Sequence, residues 1–181
     1  MAESFSTTHE KVQFFWQEGC RIAKEQKDYI VAIELITKSL SIVKKSKVFD
    51  LNYKYSRNYQ FYRQLTILAL KAEIPADALK YAKLCNRPDF IADAYFENNQ
   101  FEKCLSYYMA LTQPYTIYPG WTWSPSDTLS RNRLPKVAKS FYYLINKYPE
   151  KYNFENIQED YGWLYNQVIL RFGSSPIFAE L

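Results

Sequence analysis

The residues with the greatest capacity for chemistry are few and scattered. His9 is the single histidine of the chain. A nucleophile–base pair requires an imidazole in hydrogen-bond reach of a hydroxyl or thiol, and a histidine-rich zinc site requires several. His9 lies in a polar Ser/Thr-containing stretch, residues 1–9, that reads as a flexible N-terminal arm, so neither construction has its parts. The three cysteines, Cys20, Cys85 and Cys104, are odd in number and widely separated. That pattern is no disulfide framework and no metal clip, and it fits a reducing compartment. A thiol serves equally as a compact apolar group, and all three are expected at tight helix contacts. The acidic pairs Asp89/Asp93 and Glu159/Asp160 fall on predicted helices, where such pairs ordinarily face solvent; a general acid needs a pocket around it. No glycine-rich phosphate loop, His-Glu-x-x-His pair or acidic calcium loop is present. The expectation is a protein that is not an enzyme, with no cofactor, metal or small-molecule substrate.

The elements that would position these residues are helices. Only four glycines occur among 181 residues, and the chain is 48% hydrophobic, enough for one domain with a core. Val12, Phe15, Trp16, Gly19, Ile22 and Ala23 recur at steps of three and four behind a candidate cap at Thr8. Ile30, Ile33, Ile36, Leu40 and Val43 repeat that period. The connection between them, Glu25 to Asp28, is so short that the two helices must lie antiparallel. A second such unit runs from Tyr62 to Cys85, with Pro75 at a helix start where its missing donor costs nothing. Its lead-in carries Tyr53, Tyr55 and Tyr59, which marks a groove or contact face. A third unit runs from Asp89 to Leu111. Two further helices, Leu134 to Tyr148 and Phe154 to Phe172, form a closing hairpin, as a repeat array needs a terminal cap. Gly173 follows the last helix in a C-capping position.

Between these helices, residues 113–133 lose the helical period. Unstructured connections longer than about 12 to 15 residues are uncommon inside compact domains. This one carries Tyr115, Tyr118, Trp121 and Trp123 between prolines, a composition too aromatic for plain disorder. Two roles are open: the segment folds back over the helices, or it docks another chain. The whole sequence is rich in rings, with 17 Tyr, 12 Phe and 4 Trp. Aromatic side chains fill wide gaps between helices, and they are also enriched at protein interfaces.

Trp16 to Ile42 resembles a tetratricopeptide repeat. Trp16, the Gly19-Cys20 pair, Ala23, Asp28-Tyr29, Ala32, Ile36 and Ser39 stand near the family's large and small positions. Gly-Cys replaces the family's Leu-Gly, Ala23 replaces a Tyr, and Lys44 stands where the terminal Pro belongs. The second and third units repeat the pattern, unevenly spaced against the family's roughly 34-residue period. The resemblance implies an all-α fold, a right-handed stack of antiparallel helical hairpins over residues 10–112, capped by residues 134–181. It further implies a partner groove along the first helix of each hairpin, here Phe14, Gln17, Arg21 and Lys24, then Arg63 and Lys71, then Phe96. Gln60, Ile67, Asp93 and Glu97 map to the same faces. Members that bind chaperone tails hold a terminal carboxylate with a Lys/Asn clamp, and Gln17 and Arg21 depart from it.

The expected role is a protein–protein interaction module, an adaptor or structural subunit of a larger multiprotein assembly, whose partners are the other subunits. The alternative is an RNA-associated helical repeat of a ribonucleoprotein, using lysines and exposed rings. The net charge of +4 is mild, and the densest basic cluster, Lys44, Lys45 and Lys47, complements a helix C-terminus, so nucleic acid ranks second. No apolar run reaches the roughly 18 residues of a membrane span, and residues 1–15 lack the features of a leader. The expected location is the cytoplasm, with the interior of an organelle as the alternative.

Overall fold

A computed structural model of the chain describes residues 7–112, 115–118, 121–123 and 133–173. The described residues are predominantly helical: α1 (Thr8–Glu25), α2 (Tyr29–Lys45), α3 (Leu51–Lys71), α4 (Pro75–Cys85), α5 (Pro88–Glu97), α6 (Phe101–Met109), α7 (Leu134–Lys147) and α8 (Phe154–Phe172). The exception lies where the helical period is lost. There β1 (Tyr115–Tyr118) and β2 (Trp121–Trp123) pair antiparallel. The helices divide into two compact units, Met1–Cys85 and Asn86–Leu181, so the third hairpin belongs with the C-terminal helices and not with the first two hairpins.

In the first unit, α1 and α2 form one hairpin and α3 and α4 a second, with α2 packed on α3. Local chemistry explains the starts. Thr7, not Thr8, caps α1: its hydroxyl accepts from the Glu10 amide at 3.2 Å while the Glu10 carboxylate accepts from the Thr7 amide at 3.0 Å, a reciprocal capping box. This places His9 inside the first turn of α1, so residues 7–9 belong to the helix and its cap and not to the flexible arm expected over residues 1–9; residues 1–6 of that expectation lie outside the described residues. Asp28 caps α2 and Asp50 caps α3 through the amides of Val31 and Tyr53. Helix α3 ends at Lys71, and Glu73, just beyond the cap residue Ala72, takes φ +56°. The Ile74 amide reaches back to the Ala69 carbonyl and the Glu73 amide to Leu70, the two-bond closure of a Schellman turn.

The core of this unit is Ala32, Ile36, Val43, Leu65, Ala69, Ala78 and Ala82, all fully buried. Gly19 decides how closely α1 approaches α2. A Cβ there would stand 2.8 Å from Ile36 Cγ1 and 3.1 Å from the Ala32 carbonyl oxygen. Cys20, expected at that contact, is instead half-buried, because one residue along a helix turns the side chain by about 100°. Cys85 and Cys104 do lie in the cores of their units. Ser39, a predicted small contact residue, also donates its hydroxyl to the Val12 carbonyl at 2.7 Å, tying α2 to α1.

In the second unit, α5 and α6 form a hairpin, α7 packs on α6, and α8 packs on both α6 and α7. The α5–α6 turn repeats the Schellman geometry, with Asn99 at φ +56° and the Gln100 amide bonded to the Tyr95 carbonyl. Pro88 and Pro135 stand in the first turns of α5 and α7, where no amide is required. The core comprises Tyr108, Leu105, Leu111, Val137, Phe141, Ile157 and Leu164. Of the α8 stripe, Ile157, Tyr161, Leu164 and Val168 are buried but Phe172 is 37% exposed. Tyr161 leaves helical geometry at φ −134° and ψ 17°, kinking α8.

Candidate protein-binding site

Helices α1 and α3 are the first helices of their hairpins, and each turns one stripe toward its own partner helix. On α1 that stripe is Val12, Gly19 and Ile22. Trp16, about one turn before Gly19, faces α3 instead and meets Phe61 edge to face at 4.9 Å between ring centroids. Further toward the start of α1, His9 lies 6.3 Å from the Tyr53 ring, which stacks nearly parallel on Phe49 at 4.5 Å.

The rings of His9, Trp16, Tyr53 and Phe61 wall an open cavity of about 280 Å³, lined also by Val12, Gln13, Gln17 and Arg57. Its aromatic walls with a few polar tips suit a protruding side chain of a partner. Drug-sized ligands generally occupy larger, better enclosed spaces, of about 300 to 1,000 Å³. The guanidinium of Arg57 lies over the Tyr53 ring at 5.3 Å and donates to Gln60 Oε1 at 3.0 Å.

Of the residues the repeat resemblance assigned to a groove, Gln17 lines this cavity. Phe14 is 40% exposed and packs edge-on against Phe15. Arg21 is exposed, but its charge is already answered on its own helix, by Glu18 at 2.5 Å and Glu25 at 2.8 Å. The hydrogen bonds from Arg21 hold the Glu18 carboxyl below its ordinary range, and the same bonds raise Arg21 itself. Lys24 and Arg63 are solvent-exposed. Lys71 is exposed with its ammonium 5.6 Å from the centre of the Tyr29 ring.

Phe96 belongs to the second unit, where it packs edge-on with Phe101 and beneath Lys136. The four aromatic residues of the 113–133 segment fall on the paired strands: Tyr115 stands opposite Trp123 and Tyr118 opposite Trp121, with a register shift between Thr116 and Tyr118. Their side-chain contacts lie outside the described residues. Tyr53, Phe61, Gln13 and Arg57 were not among the assigned groove residues. The cluster of tyrosines ahead of the second hairpin was the sequence signal for that surface.

The acidic pair Asp89/Asp93 departs from its expected solvated setting. Asp89 is fully buried and Asp93 is 6% exposed. Arg87 grips Asp89 with two bonds, Nε at 2.8 Å and Nη2 at 2.5 Å. Arg133 Nη2 bridges Asp89 at 3.1 Å and Asp93 at 2.9 Å. Lys136 adds contacts to Asp93 at 3.3 Å and Glu97 at 2.9 Å, and the Tyr108 hydroxyl donates to Asp93 Oδ1 at 2.7 Å. Three cations thus meet three carboxylates across α5, α6 and α7. Burial opposes charge on Arg133, but Asp93 and Asp89 outweigh it and hold the guanidinium firmly protonated. Burial, reinforced by Asp93, keeps the Tyr108 phenol neutral well above its usual range. Burial likewise pushes the Cys104 thiol up to about 12, so at neutral pH it is no nucleophile. The arrangement is a charge-balanced network of buried and half-buried ion pairs.

Among the described residues, no group of three or more His, Cys, Asp or Glu side chains could hold a metal ion. No helix among them is long and apolar enough to cross a membrane. No protein-family model matches the chain, and no curated protein or solved structure matches it either.

Proposed function

We propose that this protein is a non-catalytic interaction module of the helical-hairpin-repeat kind, an adaptor or structural subunit of a larger protein assembly, that holds a partner segment against α1 and α3. The observation that carries the reading is the open, aromatic-walled cavity between those two helices, with Trp16 and Tyr53 as rigid anchors above the buried Phe61 and Gln13, Gln17 and Arg57 as polar rim. Interfaces concentrate binding energy in aromatic and arginine anchors surrounded by near-neutral polar contacts, and this surface has that composition. The self-paired state of Arg21 argues against a carboxylate clamp at that position and for recognition through shape and apolar contact.

A photo-crosslinking amino acid placed at Gln17, in the full chain expressed in its native cells, tests the reading. It should trap one protein partner stoichiometrically, whereas the same group at the exposed Lys38 on α2 should not. RNA trapped in place of protein, or indistinguishable products from the two positions, would refute it.

A further inference from the structure

A second concave surface, sharing no residue with the first, lies between the α5–α6 turn and the end of α7. It encloses about 280 Å³ beside Gln100, Phe101, Lys103, Tyr143, Lys147 and Tyr148. Phe101 and Tyr143 pack with centroids 4.5 Å apart. Tyr143 is 38% exposed and Tyr148 47% exposed, so the platform is open to solvent on the side away from the core. The Lys147 ammonium lies 5.1 Å from the Tyr143 ring centre and 5.3 Å from that of Tyr148, and donates to the Tyr143 hydroxyl at 2.7 Å.

The charges at this cleft are unequal. Its carboxylate, Glu102, is already bound by Lys151 at 2.8 Å, and that hydrogen bond holds the carboxyl below its ordinary range. Lys147 interacts with rings and a phenol, and Lys103 with Gln100 Oε1 at 3.0 Å and the Tyr95 ring at 5.6 Å. Neither ammonium makes an ion pair among the described residues. Two cations without anionic partners therefore flank an exposed aromatic platform, and they are complementary to an occupant that brings carboxylates around a ring or another apolar side chain.

We propose that this cleft docks an acidic segment of a partner protein, with an aromatic side chain seated on Phe101 and Tyr143 and flanking carboxylates paired to Lys103 and Lys147. Single-stranded nucleic acid fits less well. Base stacking runs along a continuous basic track, and here the Glu102 carboxylate, bound by Lys151, interrupts the positive field.

The test is fluorescence anisotropy with the full chain and a short fluorescein-labelled peptide of aspartates and glutamates around one central phenylalanine. The wild type should bind it, more weakly as salt rises, since exposed charge pairs are screened. The exposed charge reversals Lys103→Glu and Lys147→Glu, made together, should weaken binding by at least about tenfold with unchanged melting temperature, the expected effect of like-charge juxtaposition. Replacing the peptide's phenylalanine by alanine should do the same without altering the protein at all.

Three results would overturn the proposal: equal binding of a peptide with asparagine and glutamine in place of the acids, unchanged affinity in the double reversal, or tighter binding of oligouridylate than of the acidic peptide.

Discussion

Arg133 and Asp93 are 40 residues apart in sequence, yet Arg133 Nε donates to Asp93 Oδ2 at 2.9 Å and Nη2 lies 2.9 Å from the same oxygen. Arg133 is the last residue before α7, so this pair fixes where the chain rejoins the helical scaffold after the aromatic hairpin. Replacement by methionine keeps the apolar stem and removes the charge, leaving Asp93 and Asp89 with less compensation in a buried setting. Breaking a buried pair from one side costs about 3–5 kcal/mol. Chemical denaturation of Arg133→Met should show a loss of that order. Lys136→Met should cost less, because Lys136 retains more solvent. A loss in Arg133→Met no larger than that of an exposed substitution would show the network to be energetically idle.

Alkaline pH should loosen the second unit. Burial raises Tyr108 well above 10.0, Tyr152 to about 12 and Cys104 from 9.0 to about 12. Each folded group retains a proton that the unfolded chain releases. Stability is therefore intact below the unfolded values and falls as pH rises through the interval between unfolded and folded values. The denaturation midpoint should hold up to pH 9.0 and drop progressively toward about pH 12. Tyr108→Phe removes one titrating group and should flatten that decline, although loss of its bond to Asp93 costs about 1–3 kcal/mol at neutral pH. A midpoint indifferent to pH over this interval would contradict the assignment.

Gly19→Ala should destabilise the first hairpin. The added methyl would meet the Ile36 side chain at 2.8 Å and the Ala32 carbonyl at 3.1 Å. Overpacking of this kind costs about 1–3 kcal/mol, more than the helix propensity gained by alanine, about 1 kcal/mol. Ile36→Ala removes the γ carbon that the added methyl would meet, so the double variant should lose less than the sum of the two single losses, and that coupling in a double-mutant cycle is the diagnostic readout.

The two Schellman turns offer the opposite sign. Glu73 and Asn99 both hold φ +56°, a region that glycine adopts freely and that asparagine tolerates better than glutamate. The left-handed conformation costs a side-chain-bearing residue about 1–2 kcal/mol, partly offset by glycine's greater loss of chain entropy, so Glu73→Gly should raise stability and Asn99→Gly should raise it by less. Thermal melts of the two variants against wild type provide the comparison, and a melting temperature lowered by Glu73→Gly would exclude strain at that turn.

Helix positions and the apolar faces of α1, α2 and α8 were legible because a 3.6-residue period is written directly in side-chain type. The capping box was missed by one residue, since Thr7 and Thr8 are chemically interchangeable and the reciprocal Glu10 bond is what selects between them. Cys20 was misplaced for a related reason: a small residue beside a glycine offers two candidates for one close contact, and only the helix phase decides. The burial of Asp93 was hidden because its cationic partners come from outside its own helix, whereas Arg87 beside Asp89 was at least adjacent in sequence. Arg133 and Lys136 reach Asp93 across about 40 residues of chain, and local sequence carries no trace of that pairing. The hairpin of β1 and β2 was read only as a lost helical period. The Tyr53 side of the cavity, by contrast, was marked in advance by its run of aromatic residues.

The most direct test of the account is the mass and composition of the protein recovered from its native source at moderate salt, by size-exclusion chromatography with light scattering and mass spectrometry of the eluted peak. The chain should elute in a complex in fixed stoichiometry with other proteins, and Trp16→Ala or Tyr53→Ala should release it while the purified chain remains helical. A monodisperse monomer with no co-purifying protein would contradict it.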